Sequence, residues 1–355
     1  STAPTKTMLA KFPSLALAGY ALVGISFLFM RQTWGWPLLA FVDSKDDIRG
    51  PMNQQRGWGS CDSASSHLSL VCFLVSPCFL QDVSRAQSFA TSVAMSSQAF
   101  TVVQFPCLGE NYGYLIHDES TGETAAIDTP CARTYKAELD KRGWKLTHIF
   151  NTHHHWDHTG GNLELKTPGV KVYGPVDEKN LIPGIDVAIG GGECVEFGRA
   201  KANVMDVGGH TLGHIAYHFP SESTLFAGDA LFALGCGRMF EGTPTQFWTS
   251  LQGLRELPDD TSVYCAHEYT ESNAKFAVSV EPGNEELMKR VDEVKAKRAQ
   301  GLPTVPSKLG EEKRTNPFLR VDTSEEIRRN VGVAAGDSAA AAFAKVRRAK
   351  DTFRG

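Results

Sequence analysis

The sequence predicts an α/β fold followed by a smaller helical region, over residues 96–355. Short runs rich in β-branched and aromatic residues recur after Met95, and turn-forming pairs such as Thr121-Gly122 separate them. Stretches with helical spacing lie between some of these runs. From about Glu271 the strand-like runs stop, and apolar residues at helical spacing alternate with charges. We therefore expect an α/β domain first and helices after it.

The predicted elements follow one another in a simple order. The first three strands are FTVVQF, YGYLIHD and TAAID, and a helix, CARTYKAELDKRG, comes next. The strands LTHIFNT, VKVYG, NVMDV, STLFAGD and SVYCAHE follow, with a short helix in GNLELK after Gly160. The last two elements, NEELMKRVDEVKAKRAQ and SAAAAFAKVRRAKDTF, are predicted helices.

Residues 1–95 differ in composition, with seven Lys or Arg, five Asp and no Glu. Residues 12–30 are uncharged and nearly as long as the roughly 20 residues that cross a bilayer, whereas the apolar run at residues 68–80 is too short to span. These features fit a targeting sequence for the mitochondrion or another organelle, with membrane association only if residues 12–30 are retained as an anchor. The alternative is upstream sequence that is not translated, since Met95 precedes the first ordered pattern, and the protein would then be cytoplasmic. In either case we exclude residues 1–95 from the fold.

The overall composition excludes several classes of function. The 355 residues carry 36 Lys or Arg and 40 Asp or Glu, a formal charge of −4, so nucleic acid is not an expected partner. A hydrophobic content of 42% excludes wholesale disorder. Eight cysteines without a CxxC pair are too sparse for a disulfide framework, which indicates a reducing compartment.

A cluster of histidines follows the strand LTHIFNT, where residues 152–158 read THHHWDH. In an extended segment residues i and i+2 point the same way, so His153 and His155 can hold one ion. As the chain turns into the next helix, Asp157 and His158 face a second position. Imidazole and carboxylate ligands suit zinc, iron or manganese.

Further candidate ligands stand at the ends of later strands. GGHTLGH supplies His210, TLFAGD supplies Asp229 and VYCAHEY supplies His267. Strand ends that run into loops are where α/β proteins place binding groups. Asp229 is the natural bridging ligand, because its two oxygens can contact two cations. We interpret four other histidines as structural, although His214 could orient a ligand; they are His148, His154, His214 and His218.

The series THHHWDH, GGHTLGH, FAGDALF and AHEYT resembles the metallo-β-lactamase superfamily. The stretches GENYGYLI, GCGRMFEGT, EPGNEEL, PTVPS, NPFLR and VRRAKDTF are similar to its glyoxalase II branch, and the likeness covers about residues 100–355. This resemblance implies an αββα sandwich in residues 96–268 and a helical glutathione-binding domain in residues 269–355. It also implies two divalent metal ions, with zinc expected and iron or manganese as alternatives.

The resemblance further implies a role for each site residue. The expected ligands are His153, His155 and His210 for one ion, Asp157, His158 and His267 for the other, and Asp229 between them. Asp157 and Asp229 would act with a hydroxide shared by the ions, which attacks a thioester carbonyl. The leaving thiolate, with a pKa near 8.5 as a model thiol, needs no strong general acid.

The implied contacts to the carboxylates of glutathione are Arg238, Tyr269, Arg347 and Lys350. Taken alone, the basic run at residues 347–350 would be a solvated helix end, but its motif context favours a binding role. Many relatives have Lys and Tyr where this chain has Arg238 and Phe240, so positive charge is kept and a hydroxyl is lost.

The expected activity is hydrolysis of S-(2-hydroxyacyl)glutathione thioesters, above all S-D-lactoylglutathione, to glutathione and D-lactate in methylglyoxal detoxification. The expected partner is this small-molecule thioester, and the expected state is a monomer. An alternative is a glutathione persulfide dioxygenase with a single iron, although such relatives generally lack the helical tail with Arg347 and Lys350. A scaffold without turnover is disfavoured because all seven ligand positions are filled.

Overall fold

Two six-stranded sheets face each other in the computed structural model, which describes residues 98–355. The expectations for residues 1–95, including the apolar runs at 12–30 and 68–80, lie outside the described residues. Within residues 98–355, none of the helices has the length and apolar character needed to cross a bilayer.

The first sheet places its strands in chain order. They are β1 (Thr101–Pro106), β2 (Tyr112–Asp118), β3 (Glu123–Ile127), β4 (His148–Phe150), β5 (Lys171–Pro175) and β6 (Val187–Ile189). Antiparallel pairing joins β1, β2 and β3, whereas β3 to β6 are parallel neighbours. Because β3 and β4 are parallel, the loops that follow them leave the same edge of the sheet. Asp128 and the histidine-rich segment are therefore neighbours.

The second sheet and a small hairpin use the remaining strands. They are β7 (Cys194–Phe197), β8 (Ala200–Asp206), β9 (Ile215–Phe219), β10 (Thr224–Gly228), β11 (Leu231–Phe232), β12 (Gly235–Cys236), β13 (Ser262–Cys265) and β14 (Ser307–Lys308). The sheet order is β14-β13-β10-β9-β8-β7, and β11 pairs with β12. Since β10 and β13 are parallel, Asp229 and His267 follow adjacent strand ends.

Nine α-helices complete the described part of the chain. They are α1 (Ala132–Arg142), α2 (Trp156–Thr159), α3 (Asn162–Leu165), α4 (Pro244–Arg255), α5 (Thr270–Val280), α6 (Glu285–Ala299), α7 (Leu309–Thr315), α8 (Glu325–Asn330) and α9 (Ala339–Thr352). Side-chain hydrogen bonds cap the N-termini of several helices. For example, Thr243 accepts from the Gln246 N–H before Pro244, and Ser338 accepts from the Ala341 N–H at the start of α9.

Three hydrophobic clusters define the layers of the fold. One lies between the sheets and joins Ile116 and Phe150 to Tyr217 and Phe226. A second packs α1 and α3 on the outer face of the first sheet. The third packs α4, α5 and α9 on the outer face of the second sheet. The predicted αββα sandwich with a C-terminal helical region is confirmed.

Several details differ from the sequence expectations. The chain enters α2 already at Trp156, so Asp157 and His158 are helical rather than in a preceding loop. Helices α4, α5, α7 and α8 had no counterpart among the predicted elements, and neither had the strands β6, β7, β9, β11, β12 and β14. The region after residue 268 also contributes β14 to the second sheet, and the third cluster contains residues from both sides of that position. The boundary at residue 268 stays a prediction.

Candidate metal centre

All seven predicted ligands gather at one edge of the sandwich, where β4, β8, β10 and β13 end. Their donor atoms form three overlapping groups, and within each group the atoms lie within 4.8 Å of one another. These groups are His153, His155 and His210; His153, His158 and Asp229; and Asp157, His158 and His267.

The first group has the spacing of a tetrahedral site. The Nδ1 atom of His155 lies 3.0 Å from Nε2 of His153 and 3.0 Å from Nε2 of His210. Ligands at about 2.0–2.1 Å from a tetrahedral zinc are separated from one another by roughly 3.3 Å. The three nitrogens could therefore hold one ion after small adjustments.

Asp229 lies between the first group and the third. Its Oδ2 atom is 3.4 Å from His210 Nε2, whereas its Oδ1 atom is 3.4 Å from His158 Nε2 and 3.3 Å from His267 Nε2. Oδ2 of Asp157 is 3.6 Å from the same His267 nitrogen. The two oxygens of Asp229 thus face different groups, as a bridging carboxylate requires.

A buried carboxylate that the sequence reading missed, Asp128, orients two of the histidines. Its Oδ2 atom accepts from His158 Nδ1 at 2.8 Å and from the Thr152 hydroxyl at 2.9 Å. Because that hydroxyl donates to Asp128, it can accept from His153 Nδ1, which lies 3.0 Å away. Both imidazoles then present the lone pair of Nε2 to the site, which is the form that binds metal. An acidic residue at the end of the strand TAAID was the available signal.

A backbone carbonyl fixes His210 in the same way. Its Nδ1 atom donates to the Arg238 carbonyl at 2.7 Å, so a neutral His210 carries its lone pair on Nε2. Gly237 leaves the room for this contact, because a Cβ there would lie 2.9 Å from His210 Nδ1 and 2.1 Å from the Asp229 carbonyl oxygen.

Unpartnered polar atoms and the local electrostatics indicate that this centre fits divalent cations. His158 Nε2 and Asp229 Oδ1 are buried and lack hydrogen-bond partners within residues 98–355. Burial lowers the pKa of His158, but the carboxylates of Asp229 and Asp128 outweigh burial and raise it to about 9. These carboxylates stabilise positive charge at His158. A metal cation bound to His158 Nε2 would supply that charge in place of a proton. Burial and neighbouring imidazoles hold the pKa of His153 well below its usual value, so it is neutral.

Three more residues outside the predicted set connect the loops of the centre. Asn111 Nδ2 is 3.3 Å from Asp157 Oδ2, and its backbone bridges His267. Glu178 is buried and accepts from the N–H groups of His154 and Gly213. His214 accepts from the Asp229 N–H at 3.1 Å, which is compatible with the orienting role considered for it. Only the long-range fold brings Asn111 and Glu178 to the site, so spacing along the chain could not reveal them.

A cleft of about 610 Å³ opens above the centre, and the four predicted substrate contacts line it. Arg238 is exposed, and its guanidinium has no hydrogen-bond or ion-pair partner among the described side chains and backbone. Tyr269 stacks on His267 at 4.8 Å, and burial together with Asp229 raises its pKa to about 12. Lys350 donates to the carbonyl and hydroxyl oxygens of Ser272 at 2.9 and 3.1 Å.

Arg347 and Phe240 line the same cleft but differ in exposure. Arg347 is buried rather than solvated, and Nη1 donates to the Cys236 carbonyl at 3.0 Å. Phe240 is 61% exposed, with its ring centroid 5.2 Å from that of His210. Phe240 therefore presents an apolar surface at the mouth of the cleft.

Known proteins are similar to this chain in both its α/β region and its C-terminal helical region. The family model of the metallo-β-lactamase superfamily matches residues 109–267, and that of the hydroxyacylglutathione hydrolase C-terminus matches residues 268–353. Hydroxyacylglutathione hydrolase from Hyphomonas neptunium is 52% identical over 251 residues, which are 70% of this chain and 97% of that protein. The enzyme of the same name from Methylococcus capsulatus is 52% identical over 72% of this chain and 99% of its own length. A crystal structure of ETHE1 from Myxococcus xanthus is 30% identical, covers 64% of this chain and 87% of its own, and has a TM-score of 0.48.

Proposed function

The chain belongs to the hydroxyacylglutathione hydrolase family of the metallo-β-lactamase superfamily, and on that premise we propose that it converts S-D-lactoylglutathione to glutathione and D-lactate. As a member of this family it is a metal-dependent hydrolase of glutathione thioesters. The observation that carries the finer proposal is that one cleft combines the candidate metal centre with unpaired positive charge.

The seven side chains predicted as ligands would hold two divalent cations, and zinc is the proposed metal. When bound, such cations polarise a carbonyl and lower the pKa of water toward about 7. One set of donors would be His153, His155 and His210. The other set would be Asp157, His158 and His267. Asp229 would contribute an oxygen to each set, which the directions of its Oδ1 and Oδ2 atoms support.

The protein itself orients the donors and the substrate. Asp128 holds the His153 and His158 rings with Nε2 toward the centre, so no rearrangement of tautomers is needed. Asp157 and Asp229 line the cleft as carboxylate donors beside the place where water would attack. Burial acts to raise the pKa of Asp229, but His267 and His158 outweigh it and lower that pKa, so Asp229 stays ionised. The departing sulfur needs little assistance, because a thiol of ordinary pKa is a good leaving group near neutral pH.

The substrate carboxylates would be bound at the mouth of the cleft. Arg238 and Lys350 supply charge there, and the Tyr269 hydroxyl remains a hydrogen-bond donor because its pKa is raised. Arg347 completes the positive wall from its buried position. Phe240 offers contact to apolar parts of the substrate rather than a hydrogen bond.

The proposal is tested with the purified full chain and S-D-lactoylglutathione. We expect loss of thioester absorbance with equal release of glutathione and D-lactate, and two equivalents of zinc by elemental analysis of the same sample. S-D-Lactoyl-N-acetylcysteine, which lacks the flanking residues of glutathione, is the matched control and should be a poor substrate. Oxygen uptake with glutathione persulfide, without thioester cleavage, would contradict the proposal.

A further inference from the structure

Glu178 is a buried carboxylate beside the candidate metal centre, and its hydrogen bonds join two loops. It ends a short 3₁₀ helix, Val176–Glu178, that follows β5, and its side chain is 4% exposed. Oε2 lies 2.8 Å from both the backbone nitrogen and Nδ1 of His154, whereas Oε1 accepts from the Gly213 N–H at 2.9 Å. Because a carboxylate oxygen can only accept, His154 Nδ1 carries the proton of this contact. Such hydrogen bonds offset the cost of burying a carboxylate.

The two loops that Glu178 joins carry all three donors of the first group. His154 stands between two of these ligands along the chain, and Gly213 lies three residues after the third, His210. The contact on the second loop is close, because a Cβ on Gly213 would lie 2.9 Å from Glu178 Cγ. A shift of the Glu178 side chain would therefore change the separation of the two loops.

The His154 side chain extends this link to a third loop. Its Nε2 atom lies 3.5 Å from Glu241 Oε1, and Glu241 Oε2 accepts from the Leu212 N–H at 2.9 Å. The neighbouring Phe240 N–H donates to the His210 carbonyl at 3.3 Å. The histidine of the THHHWDH segment that is not among the predicted ligands thus lies between two carboxylates that each hold the loop of His210.

The first group depends on this link more than the other predicted set of donors does. His155 Nδ1 and His210 Nε2 belong to separate loops, yet they lie 3.0 Å apart. Lone pairs that converge on one ion repel one another before the ion binds, so such loops need another contact to stay together. Glu178 supplies that contact. In the described part of the chain, it makes no hydrogen bond to the three donors of the other set.

We propose that Glu178 is a positioning residue for the first group of ligands, because it holds the loop of His155 and the loop of His210 at the separation that one ion requires. This inference rests on the proposed function and deepens it, since it assigns a residue to one of the two metal positions. The expected signature is a loss of affinity that is confined to one of two bound ions.

Zinc binding to the full chain, first stripped of metal, tests the link. Zn²⁺ is titrated in competition with a chromophoric chelator, so that the two equivalents are measured separately. Glu178→Gln keeps the shape but places an amide N–H against a donor of one loop, whereas Glu178→Asp keeps the charge but is too short to reach both loops. We expect each variant to weaken one equivalent by about tenfold, the lower end of the range for residues that orient ligands, and to leave the other unchanged. Glu164→Gln, on the exposed side of α3, is the matched control and should bind both equivalents as wild type does.

Three results would overturn the inference. The first is wild-type affinity for both equivalents in Glu178→Gln, even with a lowered melting temperature, since Glu178 would then be structural only. The second is wild-type affinity in Glu178→Asp, because the charge and not the link would then matter. Far-UV circular dichroism checks folding. Should neither variant fold, Gly213→Ala decides instead, because its methyl group would push the loop of His210 away from Glu178; unchanged Zn²⁺ affinity there is the third result.

The proposed function fails in a different way from this inference. Wild-type protein that binds Zn²⁺ without cleaving S-D-lactoylglutathione would refute the proposed function alone and leave the zinc comparison valid.

Discussion

The candidate metal centre and the positive mouth of the cleft lie side by side, yet their side chains are held in opposite ways. Four imidazoles of the centre are buried, and three of them have an internal partner on Nδ1: Thr152 for His153, Asp128 for His158 and the Arg238 carbonyl for His210. The fourth is His267, whose Nδ1 has no hydrogen-bond partner among the described residues. At the mouth, Arg238 is exposed, and its guanidinium has no hydrogen-bond partner among the described residues. Lys350 donates to Ser272, and its Nζ atom lies 5.6 and 5.8 Å from the ring centroids of Phe276 and Phe353.

This contrast reflects different tasks. Ligands lose affinity when they must reorganise around an ion, so the fold fixes them in advance. Long cationic side chains can adjust to the carboxylates of a flexible substrate, although ordering them on binding costs free energy. Changes at the centre should therefore abolish metal binding or turnover, whereas changes at the mouth should affect KM.

The largest expected effect is at Asp229, which serves both groups of ligands. Asp229→Ala removes both oxygens, so we expect turnover to fall by more than about 100-fold, beyond the range for residues that only orient ligands. Zinc content should fall with it. Asp292→Ala, an exposed carboxylate on α6, is the matched control and should behave as wild type. Turnover that survives Asp229→Ala would show that catalysis does not need a carboxylate between the two groups, and it would break the comparison.

Asp128 tests whether orientation of the imidazoles matters as much as their presence. Asp128→Asn keeps the shape and suits the positive φ of 53° at this position, but the neutral amide is a weaker acceptor for His158 and Thr152. We expect a loss of about 10- to 100-fold in zinc affinity and in kcat/KM. Equilibrium zinc titration and steady-state kinetics measure the two losses.

The control for this substitution is Asp140→Asn on the exposed end of α1, which should change neither quantity. A zinc affinity of Asp128→Asn equal to that of wild type would show that packing alone sets the positions of the imidazole rings. The metal centre and the mouth of the cleft would then differ less in how their side chains are held.

Lys350 tests the contribution of positive charge at the mouth of the cleft. Lys350→Met keeps the length of the side chain but removes its charge. We expect KM to rise by about tenfold, because one hydrogen bond to a charged group contributes roughly 1.4 kcal/mol to binding. The kcat should stay unchanged. Arg348→Met removes an exposed charge from the same helix and should leave KM at the wild-type value. A fall in kcat instead of a rise in KM would place Lys350 with the metal centre.

Sequence reading predicted the layers and the side chains that gather at the centre, because both follow local patterns. Alternation and turn residues mark strands, and the THHHWDH segment places four donors within six residues. His210, Asp229 and His267 could be found because each follows a recognisable strand. Helix α5 was missed because much of its buried face consists of Thr, Asn and Ala side chains, which do not mark a buried face along the sequence.

Residues whose contacts depend on packing between distant elements could not be predicted in this way. Arg347 and Cys236 are 111 residues apart, and a basic residue near a helix end is usually solvated. Its burial depends on how α9 packs against β12, which no local pattern records. Asp128 lies 24 residues before Thr152, and only the parallel pairing of β3 and β4 makes them partners.

The smallest expected effect is a pH dependence of kcat/KM that arises from Lys350 at the mouth of the cleft and not from the metal centre. Burial and the nearby Arg347 lower the pKa of Lys350 to about 8, so its charge is present below pH 8 and is lost as pH rises. Because kcat/KM follows groups of the free enzyme, it should fall by about fivefold between pH 7 and pH 9. Lys350→Arg keeps its charge over this range and should remove most of that fall. Tyr269, with its pKa raised to about 12, stays protonated throughout and cannot produce the same limb. A fall of equal size in Lys350→Arg, after subtraction of the enzyme-free rate, would assign the titration to a group at the metal centre.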